Sequence, residues 1–157
     1  MAEQGRQKGI IGRELGIAFV GVGRMGSQRA TIAATHPAVR FLAVSDIDPA
    51  RARAVGEKVK ADLCSGDNLE VISRPEVNAV VVSTPEHEHT RAVLQALELG
   101  KPVLVEKPIA HTLEDADRLI EAADWVVWQL TGGERRNACP TRIRLGFSML
   151  FHAASSR

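Results

Sequence analysis

A glycine-rich hexapeptide, Gly21-Val22-Gly23-Arg24-Met25-Gly26, follows directly on the apolar run Leu15–Val20. Its spacing suits the capture of a diphosphate. Gly21 permits a tight turn, Gly23 lets the main chain approach the anion, and Gly26 lets a following helix pack close to the preceding strand. Arg24 and Met25 open that helix, where free N–H groups face a bound anion. Asp46 closes the next apolar run, at the place where a carboxylate accepts hydrogen bonds from ribose hydroxyls. Strand, glycine loop, helix and strand-end acid occur together and in order, the context that distinguishes a dinucleotide site from an empty turn. Asp46 would repel a ribose phosphate, so NAD is expected in preference to NADP. Arg51 and Arg53 are the counter-signal, and both are read as solvated charges on a helix face.

A second group of polar residues ends two further apolar runs. Ser83-Thr84-Pro85-Glu86-His87-Glu88-His89 follows Asn78–Val82, and Glu106-Lys107-Pro108 follows Val103–Val105. In an open parallel sheet, ligands bind outside the carboxyl ends of the strands. Thr84 reads as a helix N-cap with Pro85 at the first helical position, and Glu86 and Glu88 suit the positive end of the helix dipole. Ser83, Thr84 and Pro85 can line the same site. His87, Glu88 and His89 lack the four-residue ligand spacing of the commoner helical metal motif, so no metal site is expected. Lys107 is the candidate catalytic residue: burial at a strand end disfavours its charged form and suits it to proton transfer. Glu106 is expected on the opposite strand face, and Pro108 is a candidate for a cis peptide that aims the lysine inward.

These residues need a scaffold that brings strand ends together. Phe41–Val44 gives a further strand, Asp48-Pro49 a capped helix start, and Ala50–Lys60 the helix itself. A short strand at Leu63 and a short helix over 67–73 follow. Val93, Leu94 and Leu97 form the apolar stripe of a helix that Gly100 ends in a left-handed cap. Thr112 caps one more, with Leu113, Ala116, Leu119 and Ile120 on one face. Strands alternating with helices imply right-handed crossovers and an α/β fold built on a doubly wound parallel sheet.

The chain has 157 residues, 45% apolar and 25% charged, with a formal net charge of +1. That balance gives no electrostatic footprint for nucleic acid. No apolar run approaches the ~20 residues of a membrane span, and the first residues lack the apolar core of a secretory signal. Cys64 and Cys139 form no disulfide or zinc pattern, so a cytoplasmic location with inert thiols is expected.

From Leu15 to Ala123 the chain resembles the Gfo/Idh/MocA oxidoreductases. The likeness is carried by GVGRMG, Asp46, STPEHEH and above all VLVEKPIAHTLEDADRLIEAA. It implies a Rossmann domain for NAD(P)-linked oxidation or reduction of a small sugar, polyol or related carbonyl compound. It implies that Lys107 lies beside the nicotinamide and handles the hydroxyl proton, with Glu106 and Pro108 shaping its loop. His89 matches a position where the family commonly has histidine and joins the cofactor-binding candidates. Glu86 departs from the family's frequent asparagine. In that family a second, antiparallel domain carries substrate contacts and usually forms the subunit interface, which leaves a homo-oligomer open.

The expected organisation is a lead-in over 1–14, a dinucleotide-binding domain over 15–123 and an atypical tail over 124–157. All five basic residues of the tail are arginine, and both tryptophans lie in it. The composition change is read as a truncated product of a frame shift near Asp124, with a divergent tail covering the sheet edge as the alternative. Trp125–Trp128 is a candidate sixth strand, and Leu145–Phe151 a short apolar helix or strand. Two functions follow: an oxidoreductase, or a nucleotide-binding module that holds NAD without turnover. A methyltransferase fits less well, since it leaves Glu106-Lys107-Pro108 without a task.

Overall fold

The computed structural model describes residues 14–130 and 143–145. Strands β1 (Leu15–Val20), β2 (Val39–Ser45), β3 (Leu63–Ser65), β4 (Ala79–Val82), β5 (Val103–Val105) and β6 (Ile143–Leu145) form one six-stranded sheet in the order β3-β2-β1-β4-β5-β6. Every pairing is parallel. Helices α1 (Arg24–Ala34), α2 (Pro49–Val59), α3 (Asn68–Ser73), α4 (His89–Glu98) and α5 (Leu113–Leu130) connect the strands. The expected doubly wound sheet is therefore present.

Alternation along the strands divides the core. Phe19, Leu42 and Val44 pack with Ala30 of α1 and Val59 of α2. Val20, Val80, Val82 and Val105 point the other way, against Val71 of α3, Val93 of α4 and Leu119 of α5. Strands covered on both faces need apolar residues at successive positions, which explains their unbroken β-branched runs. On the α1 side, Ile17, Phe19, Val81, Leu104 and Ile32 line an apolar groove of about 500 Å³.

Local signals set most boundaries. Asp48 Oδ1 accepts from Ala50 N–H at 3.0 Å, capping α2 ahead of Pro49. Asp67 caps α3 in the same way through Leu69 N–H. Gly100 has φ +66°, the left-handed conformation that ends α4 without a Cβ clash. Thr112 Oγ1 accepts from Asp115 N–H at the start of α5.

Two expectations need correction. Trp125–Trp128 is not a strand but the last part of α5, so the boundary expected after Ala123 falls inside a helix. Leu119, Ala123 and Val126 are buried at helical spacing while Trp125 is 56% exposed; this apolar stripe overrides the β propensity of the Trp-Val-Val-Trp run. The sixth strand is instead β6, which pairs Leu104 with Arg144 and Val105 with Leu145. Residues 1–13, Cys139 and residues 146–151 of the expected apolar segment lie outside the described residues. Among the described residues no helix is long and apolar enough to cross a membrane.

Candidate functional site

The strand order reverses between β1 and β4, and the candidate residues gather at the carboxyl ends of those strands and their neighbours. Parallel sheets bind ligands at such a switch point because adjacent loops leave there in opposite directions and open a crevice. The glycine loop follows β1, Asp46 follows β2, Ser83-Thr84-Pro85 follows β4 and Glu106-Lys107-Pro108 follows β5.

Packing explains the spacing of the loop. Gly21 has φ +80°, and a Cβ there would stand 2.7 Å from Thr84 N. A Cβ on Gly26 would lie 1.9 Å from Gly21 O, inside the contact that lets α1 start flush against β1. At Gly23 a Cβ would meet nothing within 4 Å, so this residue faces open space. No side chain caps α1, and the first N–H groups of a helix have no partner inside it. Open approach at Gly23 beside uncapped amides is the cradle a diphosphate requires. Ser83 Oγ and Thr84 Oγ1 are also buried without a hydrogen-bond partner. Buried polar atoms normally find partners, so these hydroxyls mark unfilled bonding capacity beside the loop.

Asp46 is 4% exposed and does more than close a strand. Its Oδ2 accepts from Val22 N–H at 3.0 Å, fastening the glycine loop to the end of β2. Its Oδ1 accepts from Asp48 N–H and from Arg51 Nη1, each at 3.0 Å. Arg51, expected to be solvated, is thus drawn over the acid, and it also lies 3.6 Å from Asp48 Oδ2. The Asp48 cap places Arg51 one turn into α2, facing back toward Asp46. That short-range geometry is a signal the sequence carried.

The β4 and β5 loops hold further departures. Thr84 does not cap a helix. Glu86–Glu88 form a short 3-10 turn after Pro85, and α4 starts only at His89. Thr84 turns its hydroxyl inward and presents its carbonyl to His89 Nε2 at 2.8 Å. His89 is 1% exposed, with Nδ1 3.0 Å from Pro108 O and 3.2 Å from Ile109 O. Its ring is therefore occupied by protein carbonyls and joins the β4 and β5 loops instead of lining an open surface. Glu106 points away from Lys107 and pairs with Arg29 of α1, both side chains being largely buried. Nothing in the sequence singles out Arg29, because the pairing depends on how α1 lies over β5.

Lys107 precedes a cis peptide to Pro108, as expected, but it is exposed rather than buried. The burial invoked to tune its ammonium group is not provided by the described residues. Among them, no group of three His, Cys, Asp or Glu residues converges on a common point.

The comparisons with known proteins agree with this geometry. The oxidoreductase family described by an NAD-binding Rossmann fold, Gfo/Idh/MocA, matches residues 15–126. Inositol 2-dehydrogenase of Rubrobacter xylanophilus is 36% identical over 109 residues, covering 69% of this chain and 31% of that protein. A 2,7-anhydro-N-acetylneuraminate hydratase of Mediterraneibacter gnavus is 33% identical over 108 residues, covering 69% of this chain and 28% of its own length. Among solved structures, myo-inositol dehydrogenase from Lactobacillus casei, in complex with NAD(H) and myo-inositol, superposes with a TM-score of 0.68 at 27% identity. That match covers 84% of this chain and 36% of the other. The chain spans about a third of the length of the relatives it matches.

Proposed function

The chain belongs to the Gfo/Idh/MocA oxidoreductases and carries their NAD-binding Rossmann domain, and on that premise we propose that it forms the cofactor-holding half of an enzyme acting on a polyol or sugar. Gly21, Gly23, Arg24, Met25 and Gly26 supply the diphosphate cradle. Asp46 meets the adenosine ribose, and Ser83, Thr84 and Pro85 border the nicotinamide side. Bound NAD supplies a hydride acceptor. Lys107 Nζ holds or removes the proton of the substrate hydroxyl while hydride leaves the same carbon, so the alcohol is oxidised to a carbonyl with charge and atoms conserved. Glu106 and Pro108 fix the loop that presents the lysine.

The carrying observation is the open approach at Gly23 beside an uncapped helix start, with Asp46 tied to the same loop through Val22 N–H. Titration calorimetry of the folded chain with NAD and NADP tests it. We expect saturable binding with NAD preferred; no heat from either sinks the reading.

The exposure of Lys107 favours a second reading, a module that holds NAD without turnover. Correct placement of reactants can supply ~7–11 kcal/mol of barrier lowering, and the described residues give the lysine no substrate-facing wall. A screen of inositols and sugars with NAD, following NADH absorbance, separates the two. The inositol dehydrogenases among the relatives make cyclic polyols the first choice, while the hydratase shows that related chains run different chemistry.

A further inference from the structure

His89 lies at a junction that the cofactor site itself does not explain. Its ring is 1% exposed, and every polar atom given to it is a main-chain carbonyl oxygen: Thr84 O at Nε2, Pro108 O and Ile109 O at Nδ1. Carbonyl oxygens only accept. A neutral imidazole has one N–H and one bare nitrogen, so in either tautomer one end would set a lone pair against a carbonyl at 3.0 Å or less. Only a ring protonated at both nitrogens donates in both directions. The positive end of α4 opposes such a cation, because His89 is the first residue of that helix. Glu86 and Glu88 in the adjoining 3-10 turn offset the opposition. Charge-assisted hydrogen bonds are about twice as strong as neutral ones, so a doubly donating ring holds its loops more tightly than a neutral residue would.

We propose that His89 is a positioning residue for Lys107: its imidazolium spans the two loops that border the nicotinamide side, donating to Thr84 O after β4 and to the Pro108 and Ile109 carbonyls after β5. The proposal rests on the cofactor reading above for its purpose but not for its geometry. The carbonyl that follows Lys107 by one residue is one end of the strut, so its loss releases the lysine's loop while leaving the glycine cradle untouched. His89 does not contact the cofactor in this account; it fixes the separation of the walls that do.

The first measurement needs no cofactor. In the isotope-labelled chain near neutral pH, both ring nitrogens of His89 should resonate as protonated nitrogens, each correlated with its own bonded proton; a bare nitrogen at either position overturns the two-ended strut. The second compares NAD with ADP-ribose, which lacks the nicotinamide, by calorimetry on His89→Leu and His89→Gln. Loss of the strut should weaken NAD by about fivefold or more in His89→Leu, and less in His89→Gln, which keeps one donor, with ADP-ribose within about twofold of the parent. Equal weakening of both ligands means a general structural role and overturns the proposal. If the parent binds neither ligand, or the variants do not fold, the ring-nitrogen result on the parent decides. In the first of those cases it is the cofactor reading that has failed, and the strut is judged separately.

Discussion

At the scale of single residues, Asp46 joins two tasks: its Oδ2 holds Val22 N–H while Oδ1 takes Asp48 N–H and Arg51. An acid placed solely to meet a ribose would leave stability unchanged when removed. Here Asp46→Ala leaves a loop amide unpaired in a buried site and should cost about 1–3 kcal/mol in urea unfolding, together with weaker NAD binding. Unchanged stability would show that the loop is not fastened there. Gly26→Ala should be worse tolerated, since the new methyl meets Gly21 O, a main-chain atom that cannot step aside. We expect a loss of more than about 2 kcal/mol and impaired cofactor binding, read by the same two methods. Lys107 is the contrasting case. Exposed and outside the cradle, its replacement by alanine should leave NAD affinity within about twofold of the parent while abolishing any turnover; a large loss of affinity would mean that its role has been misassigned.

At the scale of elements, the sites joined by long-range contacts are the informative ones. Arg29 of α1 and Glu106 after β5 form an ion pair with side chains only 20% and 12% exposed, tying the helix behind the glycine loop to the strand end that carries Lys107. Breaking such a pair on one side leaves a buried charge, which costs more than removing both partners. Arg29→Met should therefore destabilise the chain by about 2–4 kcal/mol, and adding Glu106→Gln should recover part of that loss. Simple addition of the two single effects would show that the charges do not interact. The same distinction explains what the sequence made legible. Asp48-Pro49, Gly100 and Gly21 act within a few residues of themselves, so their caps and turns were readable from the chain alone. The Arg29–Glu106 pair and the inward turn of Thr84 arise from tertiary packing and carry no local signal. Trp125–Trp128 misled for a related reason: its composition suits a strand, but the stripe set by Leu119 and Ala123 carries the helix through it.

At the scale of the whole molecule, the two faces of the sheet are unequal. One is filled by α3, α4 and α5, whereas beside α1 the groove over Ile17, Phe19, Val81 and Leu104 has an apolar lining. Apolar patches of this kind bind hydrophobic probes. The folded chain should enhance the fluorescence of an anilinonaphthalene sulfonate dye, and Leu104→Asn should reduce that enhancement by roughly half without loss of the circular dichroism signal. Equal enhancement in the variant would place the dye elsewhere. The groove has a practical corollary for anyone purifying the protein. Sulfate salts strengthen apolar contacts through their exclusion from protein surfaces, so the native chain should adhere to a phenyl matrix at modest ammonium sulfate and come off as the salt is diluted. Storage in such salts would favour precipitation, and dilute, low-salt buffer would be the gentler choice.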